Sequence, residues 1–141
     1  MRFVDTNVLL YALRISPGDE RKREIARDLL KRGDLMLSIQ VLQEFYAQAT
    51  RLSAPGALTH EQAASGVESL TRFPIQDMTL DVARSALAIR GRFGLSYWDS
   101  AILAAARATG CEIVYSEDLS HEQDYDGLRV VNPFADVAPA A

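Results

Sequence analysis

The sequence predicts an α/β fold, a mostly parallel central sheet of about five strands flanked by helices on both faces. Three observations predict it. Short apolar runs alternate along the chain with helical periodicities of ten or more residues, the pattern of βαβ units. Glycine, proline and capping residues punctuate the joints between them. The length, 141 residues, suits one domain with an ordinary hydrophobic core and is too small for two.

Arg2 to Val4 reads as a short buried strand, and Asn7 to Leu13 as a helical turn entered through Asp5-Thr6. Pro17-Gly18 breaks the chain. Glu20 to Lys31 places Ile25, Ala26, Leu29 and Leu30 on one helix face, with Gly33 expected to take the left-handed conformation that closes helix ends. Leu35 to Leu37 is the second strand. Ser38 is then a candidate N-cap for a helix from Ile39 to about Thr50, whose apolar face carries Val41, Leu42, Phe45, Tyr46 and Ala49. After the Ala54-Pro55-Gly56 loop, Thr59 to Gln62 has a capping-box pattern that opens a helix to about Thr71. Pro74 to Gln76 reads as an edge strand, and Thr79 to Arg90 as the next helix, ended by Gly91 to Gly94. Ser96 to Asp99 is a second capping-box pattern, with Asp in place of Glu, before an alanine-rich helix that runs to Ala108 and stops at Gly110. Glu112 to Tyr115 is a fourth strand. Arg129 to Val131 is a fifth, beyond an acidic loop holding Glu117, Asp118, Glu122, Asp124 and Asp126. Residues 1–135 are expected to form a single domain and residues 136–141 a frayed tail.

Hydrophobic residues make up 48% of the chain and charged residues 24%, the balance of a soluble globular protein, and no apolar stretch approaches the roughly 20 residues that span a bilayer. The first eleven residues contain Asp5 and Asn7 and no small-residue cleavage site, which argues against a secretory signal. Cys111 is the only cysteine, so an internal disulfide is excluded, and the cytoplasm is the expected compartment. A net charge of -4 and a pI near 5.1 argue against a protein that coats nucleic acid through a broad basic face. They leave room for an enzyme whose charge is concentrated in an acidic cluster. Arg21, Lys22, Arg23, Arg27, Lys31 and Arg32 are interleaved with Glu20, Glu24 and Asp28 at helical spacings. They read as a solvated helix face, with an RNA-facing or partner-facing role as the alternative.

Four carboxylates, Asp5, Glu44, Asp99 and Asp118, are placed to converge. Asp5 and Asp118 follow strands, and Glu44 and Asp99 lie in helices that start from the same side; in such sheets ligands bind beyond the carboxyl ends of the strands. Asp99 shares a helix stripe with Ile102, Leu103 and Ala106, where an uncompensated carboxylate is costly. With no histidine pair or cysteine cluster, the natural partner of these acids is a hard cation, Mg²⁺ or Mn²⁺. Asp5 and Asp99 are the expected direct ligands. Glu44 would complete the shell or orient the attacking water, and Asp118 would bind a second ion or act through water. Asn7 and Ser116 are candidate hydrogen-bond donors that hold the carboxylates in place. Singly, each acid also has a plainer reading: Asp5 and Asp99 as helix caps, Glu44 as a solvated helix flank, Asp118 as a turn former. Trp98, Tyr97 and Phe45 read as core or site-lining residues, and His60 and His121 as surface residues.

Phe3-Val4-Asp5-Thr6-Asn7-Val8-Leu9, Gln43-Glu44-Phe45, Tyr97-Trp98-Asp99-Ser100-Ala101-Ile102-Leu103 and Ser116-Glu117-Asp118, in that order, resemble four motifs of the PIN-domain family, metal-dependent nucleases that act on RNA or flapped nucleic acid. The resemblance runs from Arg2 to about Phe134, and the compact size is similar to the VapC toxins of toxin-antitoxin pairs. It implies a PIN-like fold and a Mg²⁺- or Mn²⁺-dependent endoribonuclease hydrolysing phosphodiester bonds in RNA, with Asp5, Glu44, Asp99 and Asp118 as its catalytic, metal-binding acids. It also implies a cognate antitoxin and a homodimer. Many relatives place an aromatic residue shortly after the fourth acid, whereas Leu119-Ser120-His121 follows here, so Glu117 and Asp124 stay open as sharers of that role. Housekeeping RNA-processing PIN nucleases carry the same acids, and a catalytically silent PIN-like binding module would keep them. A phosphotransfer enzyme with Asp5 as nucleophile is the third class, although Asp5-Thr6-Asn7 lacks the second aspartate of dehalogenase-like phosphatases.

Overall fold

Phe3 and Val4 are neighbours in β1 (Arg2–Val4) and both are fully buried. Successive strand side chains point to opposite faces, so helices cover both faces of the sheet around β1. The computed structural model describes residues 1–138. β1 is followed by α1 (Thr6–Leu13), α2 (Glu20–Leu29), β2 (Leu35–Ser38), α3 (Ile39–Ala49), α4 (His60–Leu70) and β3 (Ile75–Gln76). Then come α5 (Leu80–Phe93), α6 (Tyr97–Ala108), β4 (Ile113–Tyr115), β5 (Asp124–Tyr125) and β6 (Leu128–Val131). The strands lie in the order β3-β2-β1-β4-β6-β5, all parallel to their neighbours except β5, which runs antiparallel to β6. The chain leaves β1 on one side for β2 and returns on the other for β4, so the order reverses at β1. Such a switch point opens a crevice at the carboxyl ends of the strands.

The sheet has one strand more than the sequence reading expects. Asp124–Tyr125 lies inside the acidic loop and pairs with Leu128–Arg129 across a two-residue turn, Asp126 (φ 55°) and Gly127 (φ 95°). Two positive φ values are what a type I′ hairpin turn requires. Helix ends differ in two places. α2 closes at Leu30 in the right-handed region, and Gly33 is not among the residues with positive φ, so the expected left-handed cap is absent there. α5 continues through Gly91 to Phe93, and Gly94 (φ 70°) supplies the left-handed cap instead.

Caps set most helix starts. Ser38 accepts from the Val41 amide at 3.4 Å, and Thr59 accepts from the Gln62 amide at 3.1 Å while the Gln62 side chain accepts from the Thr59 amide at 2.9 Å. Replacing Thr59 with Ala removes one arm of that box and is expected to lower unfolding stability by about 1 kcal/mol, read as a shift in the urea midpoint with an unchanged slope. α6 is buried on every residue from Ser100 to Ala106, packed on α5 and reaching β2 and β4. Its alanines follow from that enclosure, because a helix surrounded on all sides approaches its neighbours closely only with small side chains. Of the expected tail, residues 136–138 are described and Val137 packs against the core; residues 139–141 lie outside the described residues. No helix of the described residues is long and apolar enough to cross a membrane.

Candidate active site

β1 ends at Val4, and the next residue, Asp5, caps α1 with its side chain. Its Oδ1 accepts from the Thr6 amide at 2.7 Å, and its Oδ2 accepts from Ser116 Oγ at 2.7 Å. Ser116 is the residue after β4, the strand beside β1, and it is fully buried. The switch point of the sheet therefore places a carboxylate and its hydroxyl donor side by side. Ser116 Oγ also accepts from the Asp118 amide at 3.1 Å, which shapes the turn carrying Asp118. Asn7, in the first turn of α1, donates from Nδ2 to Asp118 Oδ2 at 3.2 Å, and its Oδ1 accepts from the Glu117 amide at 3.2 Å.

Glu44 projects from the second turn of α3, and both of its oxygens are engaged. Thr6 Oγ1 donates to Oε2 at 2.9 Å, and Gln40 Nε2 donates to Oε1 at 2.8 Å. The same Gln40 nitrogen donates to the Trp98 carbonyl at 3.1 Å, tying α3 to the first turn of α6. Asp99 sits in that turn, half-buried. Ser96 caps α6 by accepting from the Asp99 amide at 3.1 Å.

Burial pushes the Asp5 carboxyl up to about 7. The bonds from Ser116 and Thr6 pull the other way, and the charges of Asp118 and Glu44 add to the rise. Asp99 is likewise raised, first by burial and then by Asp118 and Glu44, with Ser96 opposing. Asp118 and Glu44 thus act on both other acids, and the four share one electrostatic neighbourhood. Among the described residues none of the four forms an ion pair with Lys, Arg or His. Nor do three of them close tightly enough around a point to form a finished metal shell. The donor set is all oxygen, carries excess negative charge and includes a carboxylate desolvated without a cation. Those features fit a hard divalent ion, which would supply the missing charge.

The two neighbours left open beside Asp118 have other engagements. Glu117 is bound by Lys22 Nζ at 2.7 Å and Tyr11 Oη at 2.6 Å. Asp124 is exposed, and its Oδ1 accepts from the Gly127 amide at 2.7 Å inside the hairpin. Much of the basic stretch is paired internally: Arg21 with Glu24, Lys31 with Asp28, Arg32 with Asp34, while Arg27 Nε donates to the Ala12 carbonyl at 3.0 Å. Phe45 is fully buried, but Trp98 is 61% exposed beside Asp99, with its ring edge-on to Tyr97 at 5.0 Å, so it lies outside the core. Tyr46, expected on the inner face of α3, turns out to solvent, where its hydroxyl meets His60 Nδ1 at 2.8 Å. Thr6 and Gln40 are the residues that sequence reasoning missed. Gln40 lies four residues before Glu44, the spacing that puts two helical side chains on one face.

The molecule is thus an α/β protein with four carboxylates gathered near the point where its strand order reverses. The chain belongs to the PIN-domain family, whose profile matches residues 2–125. Solved structures agree on the fold. A toxin-antitoxin complex from Klebsiella pneumoniae superposes with a TM-score of 0.71 at 21% identity, covering 94% of this chain and 98% of that one. Mycobacterium tuberculosis VapC20, a sarcin-ricin loop cleaving toxin, gives 0.66 at 22% identity, covering 84% and 90%. DNA-bound VapBC from Salmonella typhimurium gives 0.67 at 20% identity, covering 92% and 95%. No curated protein sequence matches the chain.

Proposed function

We propose that this PIN-domain protein is a Mg²⁺- or Mn²⁺-dependent endoribonuclease and the toxin of a toxin-antitoxin pair. The observation that carries the reading is the set of four acids, drawn from the turns after β1 and β4, the second turn of α3 and the first turn of α6, none of them ion-paired among the described residues. A divalent ion bound there supplies a Lewis acid that activates water and neutralises charge on a phosphodiester. Asp5 and Asp99 would hold the ion, Glu44 would complete the shell or orient the attacking water, and Asp118 would serve a second ion or act through water. The donors fix these acids: Ser116 holds Asp5, Asn7 holds Asp118, and Thr6 with Gln40 holds Glu44. The family supports nuclease chemistry, and one structural neighbour comes from a toxin-antitoxin complex while another is described as a toxin that cleaves the sarcin-ricin loop.

The reading includes a homodimeric toxin and a cognate antitoxin. A segment of that partner entering the acidic site would carry an arginine, whose fork matches carboxylates and replaces the ion's charge. Purified protein is expected to cleave single-stranded RNA with Mn²⁺ or Mg²⁺ and to stop with EDTA, while Asp99→Asn retains its fold and loses at least about 100-fold in kcat/KM, because a direct ligand matters more than the outer partners whose loss costs 10–100-fold. Cleavage that persists in EDTA, or in Asp99→Asn, would remove the acids from the mechanism. For the toxin role, the measurement is growth on expression of the chain with and without the gene beside it; growth arrest that this neighbour does not relieve speaks for a housekeeping nuclease.

A further inference from the structure

Glu117 and Asp118 are consecutive carboxylates on the same turn, yet they meet different surroundings. Asp118 is exposed at the acidic site and takes one bond, from Asn7. Glu117 is three-quarters buried one turn further along the same face of α1, beside Tyr11, where both of its oxygens are occupied. Lys22 Nζ donates to Oε2 at 2.7 Å, and Tyr11 Oη donates to Oε1 at 2.6 Å. Lys22 is itself enclosed. Its ammonium lies 5.0 Å from the centre of the Tyr11 ring and 5.8 Å from that of Phe134, and those two rings pack edge-on at 4.9 Å. It also donates to Tyr11 Oη at 3.3 Å. This triad joins α1, α2 and the turn after β4 through a partly desolvated ion pair, where loss of one partner leaves a stranded charge.

We propose that Lys22 is a positioning residue: with Tyr11 it holds Glu117 out of the metal site, so that Asp118 alone of the neighbouring pair serves the ion. The proposal rests on the metal-dependent reading above. Four ionised acids carry about -4, so one divalent ion leaves the site negative and each further carboxylate adds to that excess. A fifth would tighten ion binding and repel the substrate, because each added carboxylate charge opposes the phosphodiester at short range. The neighbour that could intrude is Glu117, joined to Asp118 by one peptide bond. Lys22 neutralises it where it stands.

Mn²⁺ titration of the purified full chain by calorimetry, with steady-state cleavage of single-stranded RNA, tests this in four variants. Glu117→Gln is expected to bind Mn²⁺ within about twofold of wild type. Lys22→Met is expected to bind Mn²⁺ at least about threefold more tightly and to lose about tenfold or more in kcat. Lys22→Arg, which keeps the charge, is expected to retain wild-type values. In Lys22→Met with Glu117→Gln, no carboxylate is released, and Mn²⁺ affinity is expected to return to the wild-type value. A merely structural lysine would lower kcat in that double variant as much as in the single one and leave Mn²⁺ affinity alone in both, which overturns the proposal. So does a tenfold weaker Mn²⁺ affinity in Glu117→Gln, the mark of a direct ligand. A wild-type protein that binds no Mn²⁺ overturns the metal reading itself, whereas wild-type binding with a weakened Glu117→Gln overturns this inference alone.

Discussion

Asp5→Asn is expected to make the metal-free protein more stable above pH 7, while removing its response to Mn²⁺ and cutting RNA cleavage by at least about 100-fold. Asp5 is 4% exposed, and its carboxyl is pushed from the ordinary 3.8 up to about 7, chiefly by burial. An acid whose pKa is higher in the folded state binds its proton more tightly there. Its contribution to stability is complete below about pH 4 and is lost as the pH rises through about 7. A shift of about three units sets a ceiling of about 4 kcal/mol on that loss at pH 8. Asparagine cannot ionise, and it keeps an acceptor for the Thr6 amide but gives up the bond from Ser116. The net gain expected at pH 8 is therefore smaller, about 1–3 kcal/mol. Wild-type protein saturated with Mn²⁺ at about 100 times its dissociation constant should recover about 2.7 kcal/mol, and Asp5→Asn should recover little. Urea unfolding at pH 5 and pH 8, with EDTA and then with Mn²⁺, reads all of this. Equal stability of wild type and variant at pH 8 in EDTA would mean that the acid is not strained by its burial.

The wild-type strain also shows what the sequence could and could not reveal. The placement of Asp5, Glu44, Asp99 and Asp118 is legible because each borders an apolar run whose period fixes where a strand ends or a helix begins; topology then puts those ends on one edge. Ser116 and Asn7 were legible for the same reason, lying within a residue or two of those ends. Gln40 and Thr6 were harder. Glutamine four residues before Glu44 has many solvated uses, and only the approach of α6 gives its amide a second acceptor in Trp98. The β5 hairpin does carry a sequence signal, since Asp126-Gly127 is a strong short-range turn pair, but it sits among acids that read as loop. Gly33 was expected in a left-handed cap from position alone, but a glycine near a helix end permits that conformation without requiring it. The placement of Trp98 and Tyr46 could not be read at all. Both lie on helices whose apolar residues outnumber the buried positions, and which of them faces out is decided by neighbours distant in sequence. The same holds for Lys22 and Glu117, which are 95 residues apart and meet only because α2 lies beside the turn after β4.

Removal of the Phe45 ring is expected to have the largest effect on the fold. Phe45 is fully buried, next to Glu44 in sequence, at the place where α1, α3 and α4 meet. A Cβ built on Gly66 of α4 would lie 3.1 and 3.2 Å from two of its ring carbons and 3.7 Å from Leu13 Cδ1 of α1, so the glycine is what lets α4 come this near. Phe45→Ala loses the transfer energy of the ring and leaves a cavity that three helices can only partly fill, about 3–5 kcal/mol together. For a domain of this size that lowers Tm by roughly 10 °C. Cleavage should fall as well, measured at a temperature where the variant is fully folded, because α3 carries Glu44 and α1 carries the Thr6 hydroxyl that holds it. Gly66→Ala separates packing from helix propensity. Alanine is the better helix former by up to about 1 kcal/mol, but its methyl would press on the ring in wild type. In a Phe45→Leu background that pressure is relieved, and Gly66→Ala should be stabilising there and neutral or destabilising in wild type, a coupling of at least about 0.5 kcal/mol. The same stability change in both backgrounds would mean that Phe45 and Gly66 do not touch, and that Glu44 is held in place by something other than this contact.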